Sequence, residues 1–93
     1  MDGRQLVAWN LRRIRVLRGL SQEKLAVDAD VDRSYVGRLE RAVENPTVDL
    51  LDRLAAALSV SITDFFTLPA RGEPRPKPLP GGRRSAAKRR SRR

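Results

Sequence analysis

The sequence predicts an all-α fold, a compact five-helix domain followed by a disordered basic tail. Three observations predict it. Apolar residues recur at three- and four-residue spacing from Val7 to Phe65, the period of a helix face. Ser21, Asp32, Thr47 and Ser61 each stand just ahead of such a stripe, where a side-chain oxygen can accept from the free N–H groups of a first helical turn. Beyond Leu68 the periodicity stops, and proline, glycine and arginine take over. Residues 1–68 therefore read as one domain, and residues 69–93 as a linker and tail.

The first helix is predicted over Gln5 to Arg18, with Val7, Leu11 and Ile14 on its core stripe. Arg18 and Gly19 close it, a cation in the last turn and a residue tolerant of left-handed geometry after it. Trp9 and Val16 fall opposite the stripe. Ser21 opens a short second helix carrying Leu25, Ala26 and Ala29. Asp30 occupies the turn that follows, where aspartate tolerates left-handed backbone better than most residues. Asp32 caps a third helix, residues 33–42, whose apolar positions are Val36 and Leu39. Thr47, behind Pro46, caps a fourth helix lined by Val48, Leu51, Leu54, Ala55 and Leu58. Ser61 and Asp64 have capping-box spacing for a short fifth helix with Ile62, Phe65 and Phe66. One phenyl ring belongs in the core, the other on the surface.

The second and third helices, about residues 21–41, have the length and tight connection of a helix-turn-helix, which holds its second helix out to a DNA groove. With Val36 at zero on a helical wheel, Leu39 and Glu40 fall within about 60° of it. Ser34, Arg38 and Arg41 fall on the opposite side, between about 140° and 200°. Arg33 and Tyr35 flank that outer face, and Gly37 removes bulk from it. Arg33, Ser34 and Arg38 have the chemistry to touch base edges, since arginine pairs bidentately with guanine and serine both donates and accepts. Arg41, near the helix end, better suits a phosphate. Tyr35 has two readings: a hydroxyl on a phosphate, or packing against the neighbouring helix. Gln22, in the first turn of the second helix, has an amide suited to a phosphate. The competing reading of these residues is a solvated amphipathic helix, because charge patterns alone have low specificity.

Leu11 to Phe65 resembles the Cro/repressor-type helix-turn-helix family of bacterial and phage regulators. The stretches that carry the resemblance are LRRIRVLRGLSQEKLA, VDRSYVGRLERA and NPTVDLLDRLAAALSV. Within it, the DRSYV run is similar to the small controller proteins of restriction–modification systems. The resemblance implies phosphate contact by Gln22, base-edge contact by Arg33, Ser34 and Arg38, and a buried ion pair between Arg15 and Glu40. Asp30 and Ala42 depart from the family, which often has glycine at both places.

The net charge of +9 is not a property of the domain. Residues 1–68 contain ten basic and ten acidic side chains; residues 69–93 hold ten basic residues against Glu73 alone. The domain must therefore separate its charges in space. The tail, ending in RRSAAKRRSRR, suits a sequence-blind DNA arm, or else simply aids solubility. A domain of about 60 residues buries too little surface to be more than marginally stable alone. Without cysteine or histidine, neither a disulfide nor a structural zinc can supplement it. A homodimer through the fourth and fifth helices, with Phe66 and Leu68 as contacts, would do so.

No cofactor loop, metal-ligand cluster or nucleophile–base pairing is visible, which argues against an enzyme. No secretory or membrane-spanning stretch is visible either, so a cytoplasmic location is expected. The leading expectation is a transcriptional regulator that binds double-stranded operator DNA as a dimer, with successive major grooves about 34 Å apart. Two rivals are an antitoxin-like module holding a small protein partner and a non-specific nucleic-acid binder driven by the tail.

Overall fold

A computed structural model describes residues 1–69; the basic tail and the disorder expected of it lie outside the described residues. The described residues form four α-helices, α1 (Gly3–Leu17), α2 (Gln22–Ala29), α3 (Arg33–Glu40) and α4 (Val48–Leu58), and a 3-10 segment, Ile62–Phe66. No strand occurs among them.

Helix α1 starts two residues earlier than its apolar stripe suggests. Asp2 and Gln5 form a reciprocal capping box: the Gln5 N–H donates to Asp2 Oδ1 and the Asp2 N–H donates to Gln5 Oε1, each at 2.9 Å. Gly19 ends the helix in left-handed backbone at φ +72°, a conformation that costs glycine little. The expected caps of the other elements form as well. Lys24 N–H donates to Ser21 Oγ, Ser34 N–H to Asp32 and Leu50 N–H to Thr47 Oγ1, at 3.0, 3.1 and 3.0 Å.

The turn after α2 uses Asp30 at φ 58°. Two tertiary donors hold it. Arg53, from α4, gives its Nε–H to the Ala29 carbonyl at 3.2 Å and its Nη2 to the Asp30 carbonyl. The carbonyls of the last helical residue and of its cap are thereby satisfied, and aspartate serves where glycine would have been the local choice.

The core is built from Leu11, Leu25, Val36, Leu39, Leu54, Leu58 and Phe65, with Val7, Ile14 and Leu51 closing its edges. Four expectations change. The last element is a five-residue 3-10 segment, too short for a run of α-type bonds, although its Ser61–Asp64 capping box is present. Helix α3 ends at Glu40, not at residue 42, because Ala42 turns left-handed at φ 62°. Val48, placed on the core stripe of α4, is 68% exposed; as the first residue of the helix, it precedes the turn that meets α2. Trp9, placed opposite the core stripe, is buried. It shares a recess with Met1, Gln5, Arg12, Arg41 and Ala42, and the Arg13 guanidinium lies 5.2 Å from its ring centroid. Val16 is half-buried. The two phenyl rings divide as expected, Phe65 inside and Phe66 46% exposed.

Asn10 is fully buried and ties the two ends of the domain together. The two hydrogens of its Nδ2 are shared among the carbonyls of Leu6, Phe65 and Thr67 at 3.0, 2.9 and 2.9 Å, while its Oδ1 accepts from Arg13 Nη2 at 3.0 Å.

Candidate nucleic-acid interface

Helix α3 packs against both α1 and α2. Val36 and Leu39 go into the core, which turns the opposite face of the helix outward. Arg33, Ser34 and Arg41 are exposed, and Arg38 and Tyr35 are half-buried. Tyr35 packs its ring against the core. Arg41 caps the end of α3 instead of lying within it.

Ser34 and Arg38, one helical turn apart, belong to a single network. The Ser34 hydroxyl bonds the Asp32 carboxylate and accepts from Arg38 Nη1 at 2.8 Å. Arg38 Nε–H donates to Glu44 Oε2 at 2.7 Å. The Arg38 guanidinium also lies 5.4 Å from the Tyr35 ring centroid, within cation–π range. The Ser34 hydroxyl, acting first, holds the Asp32 carboxyl below the usual carboxylate range; the Ser34 N–H and the Arg38 charge add to it. Burial, with the Glu44 charge behind it, pushes the Tyr35 phenol up, so the hydroxyl keeps its proton. Arg33 reaches Glu23 at 3.4 Å, an exposed pair of little energetic weight.

The junction of α1, α2 and α3 is polar and enclosed. Arg15 and Glu40 meet bidentately, Nε to Oε2 at 2.6 Å and Nη2 to Oε1 at 3.0 Å, with side chains 5% and 1% exposed. Arg15 Nη1 also donates to the Leu20 carbonyl at 2.8 Å. Gln22 is exposed, yet one hydrogen of its Nε2 goes to Glu40 Oε1 at 3.0 Å. Gly37 is buried rather than on the outer face. A Cβ there would stand 3.4 Å from Gln22 Oε1 and 3.5 Å from an Arg41 nitrogen, so these two side chains close over the bare backbone. The geometry thus gathers Gln22, Gly37, Glu40 and Arg41 at one end of the interface, and Ser34, Tyr35 and Arg38 along its edge.

Glu44, Asn10 and Arg53 were not singled out from the sequence. Asn10 carries a local signal, standing three residues after Val7 and four before Ile14 on the same stripe. Glu44 and Arg53 carry none, since no helical period places them beside their partners.

Residues 11–65 match the helix-turn-helix family. The chain belongs to that family. This helix-turn-helix protein is 42% identical over 67 residues to the HTH-type transcriptional regulator y4dJ of Sinorhizobium fredii, covering 72% of this chain and 87% of that one. It is 39% identical over 67 residues to the control protein C.SmaI of Serratia marcescens, covering 72% and 80%. The similarity of its DRSYV run to restriction–modification controllers thus extends over most of the domain. Among solved structures, it superposes on the controller protein C.Esp1396I, a tetramer in complex with its natural 35 base-pair operator, with TM-score 0.65 and 32% identity over 71% of this chain and 87% of that one. Among the described residues of this helix-turn-helix protein, no helix is long and apolar enough to cross a membrane.

Proposed function

We propose that this chain reads operator DNA as a homodimer in the bacterial cytoplasm, with α3 of each protomer in the major groove. That it is a DNA-binding transcriptional regulator follows from its family. The finer reading assigns Arg33, Ser34 and Arg38 to base edges, and Gln22, Tyr35 and Arg41 to phosphates. One observation carries it: the face of α3 opposite Val36 and Leu39 is turned away from the core, with Ser34 and Arg38 tied together on it at 2.8 Å. An arginine oriented in this way presents the paired donors that guanine O6 and N7 accept. Support for a multimer on DNA comes from C.Esp1396I, which is a tetramer on its operator. In this chain Phe66 and Leu68, 46% and 74% exposed, provide apolar surface for a second copy beside α4.

The test is selection of bound duplexes from a random pool, followed by footprinting on the selected site. A twofold-symmetric footprint with half-sites about one turn apart is the expected result. A single unsymmetric site overturns the dimer. On the selected duplex, Arg38→Ala is expected to cost about 1–3 kcal/mol and to relax preference at one position in each half-site. A uniform loss across all sequences would instead make Arg38 a phosphate contact.

The tail supplies charge to this scheme. Truncation after Leu68 removes all ten basic residues of the tail and leaves a domain with equal numbers of acidic and basic side chains. Affinity for unrelated duplexes is expected to fall, along with the dependence of log affinity on log salt, by about 0.9 for each phosphate the tail had neutralised. The selected sequence should not change. Equilibrium titrations at several salt concentrations measure both quantities, and loss of sequence preference on truncation would refute this division of labour.

A further inference from the structure

We propose that Glu44 is a specificity-determining positioning residue, which fixes the Arg38 guanidinium with one edge toward a guanine of the major groove and keeps it off the phosphates. The inference rests on the reading that Arg38 meets a base edge.

Arginine has five N–H donors on a long, flexible stem. In this structure two of those donors are already engaged. Nε–H is on Glu44 Oε2 at 2.7 Å, and one Nη1 hydrogen is on Ser34 Oγ at 2.8 Å. The Tyr35 ring lies against the guanidinium at 5.4 Å from its centroid. What remains are both Nη2 hydrogens and the second Nη1 hydrogen, the donors that a bidentate contact to O6 and N7 of guanine requires. The side chains of Arg38 and Glu44 are 39% and 30% exposed, so the pair is partly shielded and still reachable from solvent.

The backbone holds Glu44 in place. Ala42 turns left-handed at φ 62°, and the Val43 N–H then donates to the Arg38 carbonyl at 3.2 Å. The chain leaving α3 is thereby folded back along the residue that Glu44 grips. A carboxylate at a nucleic-acid surface has a cost, because it repels the phosphates. Its benefit is selectivity. It cancels the charge that would carry Arg38 to any phosphate and leaves the hydrogen-bond geometry that only a matching base completes, so discrimination comes partly from disfavouring the wrong partner.

The experiment compares full-length wild type, Glu44→Gln and Glu44→Ala. Each is put through random-duplex selection and titrated with one unrelated duplex. Glu44→Ala is expected to lose about tenfold in guanine preference at one position per half-site. The same variant should bind the unrelated duplex about two- to fivefold more tightly, as removal of one negative charge beside the phosphates predicts. Glu44→Gln keeps an acceptor for Nε–H, so it should retain guanine preference while showing the same tighter non-specific binding. A merely structural role would weaken both kinds of binding together, and that result overturns the proposal. So does a Glu44→Ala motif identical to that of wild type, which leaves the operator reading standing. If wild type itself selects no motif, the operator reading fails and this inference falls with it.

Discussion

Arg15→Ala is expected to destabilise the domain by about 3–5 kcal/mol. The guanidinium it removes makes two bonds to Glu40 and one to the Leu20 carbonyl. What stays behind is a carboxylate that is 1% exposed and has only the Gln22 amide as a neighbouring donor. A buried charge without its counter-charge is far more costly than a pair never made. Single domains have only about 5–15 kcal/mol of total stability, and small ones lie toward the low end. At about 4–8 °C per kcal/mol for a domain of this size, the melting temperature should fall by about 12 °C or more. Thermal unfolding followed by circular dichroism checks this. Arg15→Met combined with Glu40→Leu should recover most of the loss, since apolar side chains of similar volume need no partner. A single substitution within about 1 kcal/mol of wild type would show that water reaches the site. The pair joins α1 to the end of α3.

Phe65→Ala is expected to cost a comparable amount, about 3–5 kcal/mol. The ring is fully buried, and it anchors a 3-10 segment of five residues. A segment so short has no stability of its own in water. Asn10 of α1 also holds the segment and its cap, through bonds to the carbonyls of Phe65 and Thr67. Removing the ring therefore frees the end of the domain, and with it Phe66 and Leu68. Lower thermal stability and weaker self-association in sedimentation should appear together. Phe66→Ser serves as the control. That side chain is half exposed, so the folded protomer should change by about 0.5 kcal/mol or less, while association weakens. Equal loss of protomer stability in both variants would mean that Phe66 also packs within the protomer.

Much of this protein was legible in its residues alone, and for a common reason. Ser21, Asp32, Thr47 and Ser61 open their elements where they were expected to, because capping is a bond between neighbours three residues apart or fewer. Leu11, Leu25, Leu39, Leu54 and Phe65 are in the core, because a helix exposes its period directly in the sequence. The outward setting of Ser34 and Arg38 follows from Val36 and Leu39 pointing inward on the same helix. The neutrality of the domain and the basicity of the tail need no structure at all.

Other features were decided only by the way the helices meet. Trp9 is buried in the folded domain, which no pattern within α1 announces. Helix α3 stops at Glu40 because the chain must turn back toward Thr47, and Ala42 accepts left-handed backbone to do it. Asn10 reaches carbonyls 55 and 57 residues away, and Arg53 caps a helix 24 residues before it. Glu44 meets Arg38 across a turn that belongs to neither helix. Local periodicity and capping arise from neighbours along the chain and can be read one segment at a time. Long side chains such as Arg53 and Glu44 find their partners only after the segments have packed, when the distance between them is set by the whole core.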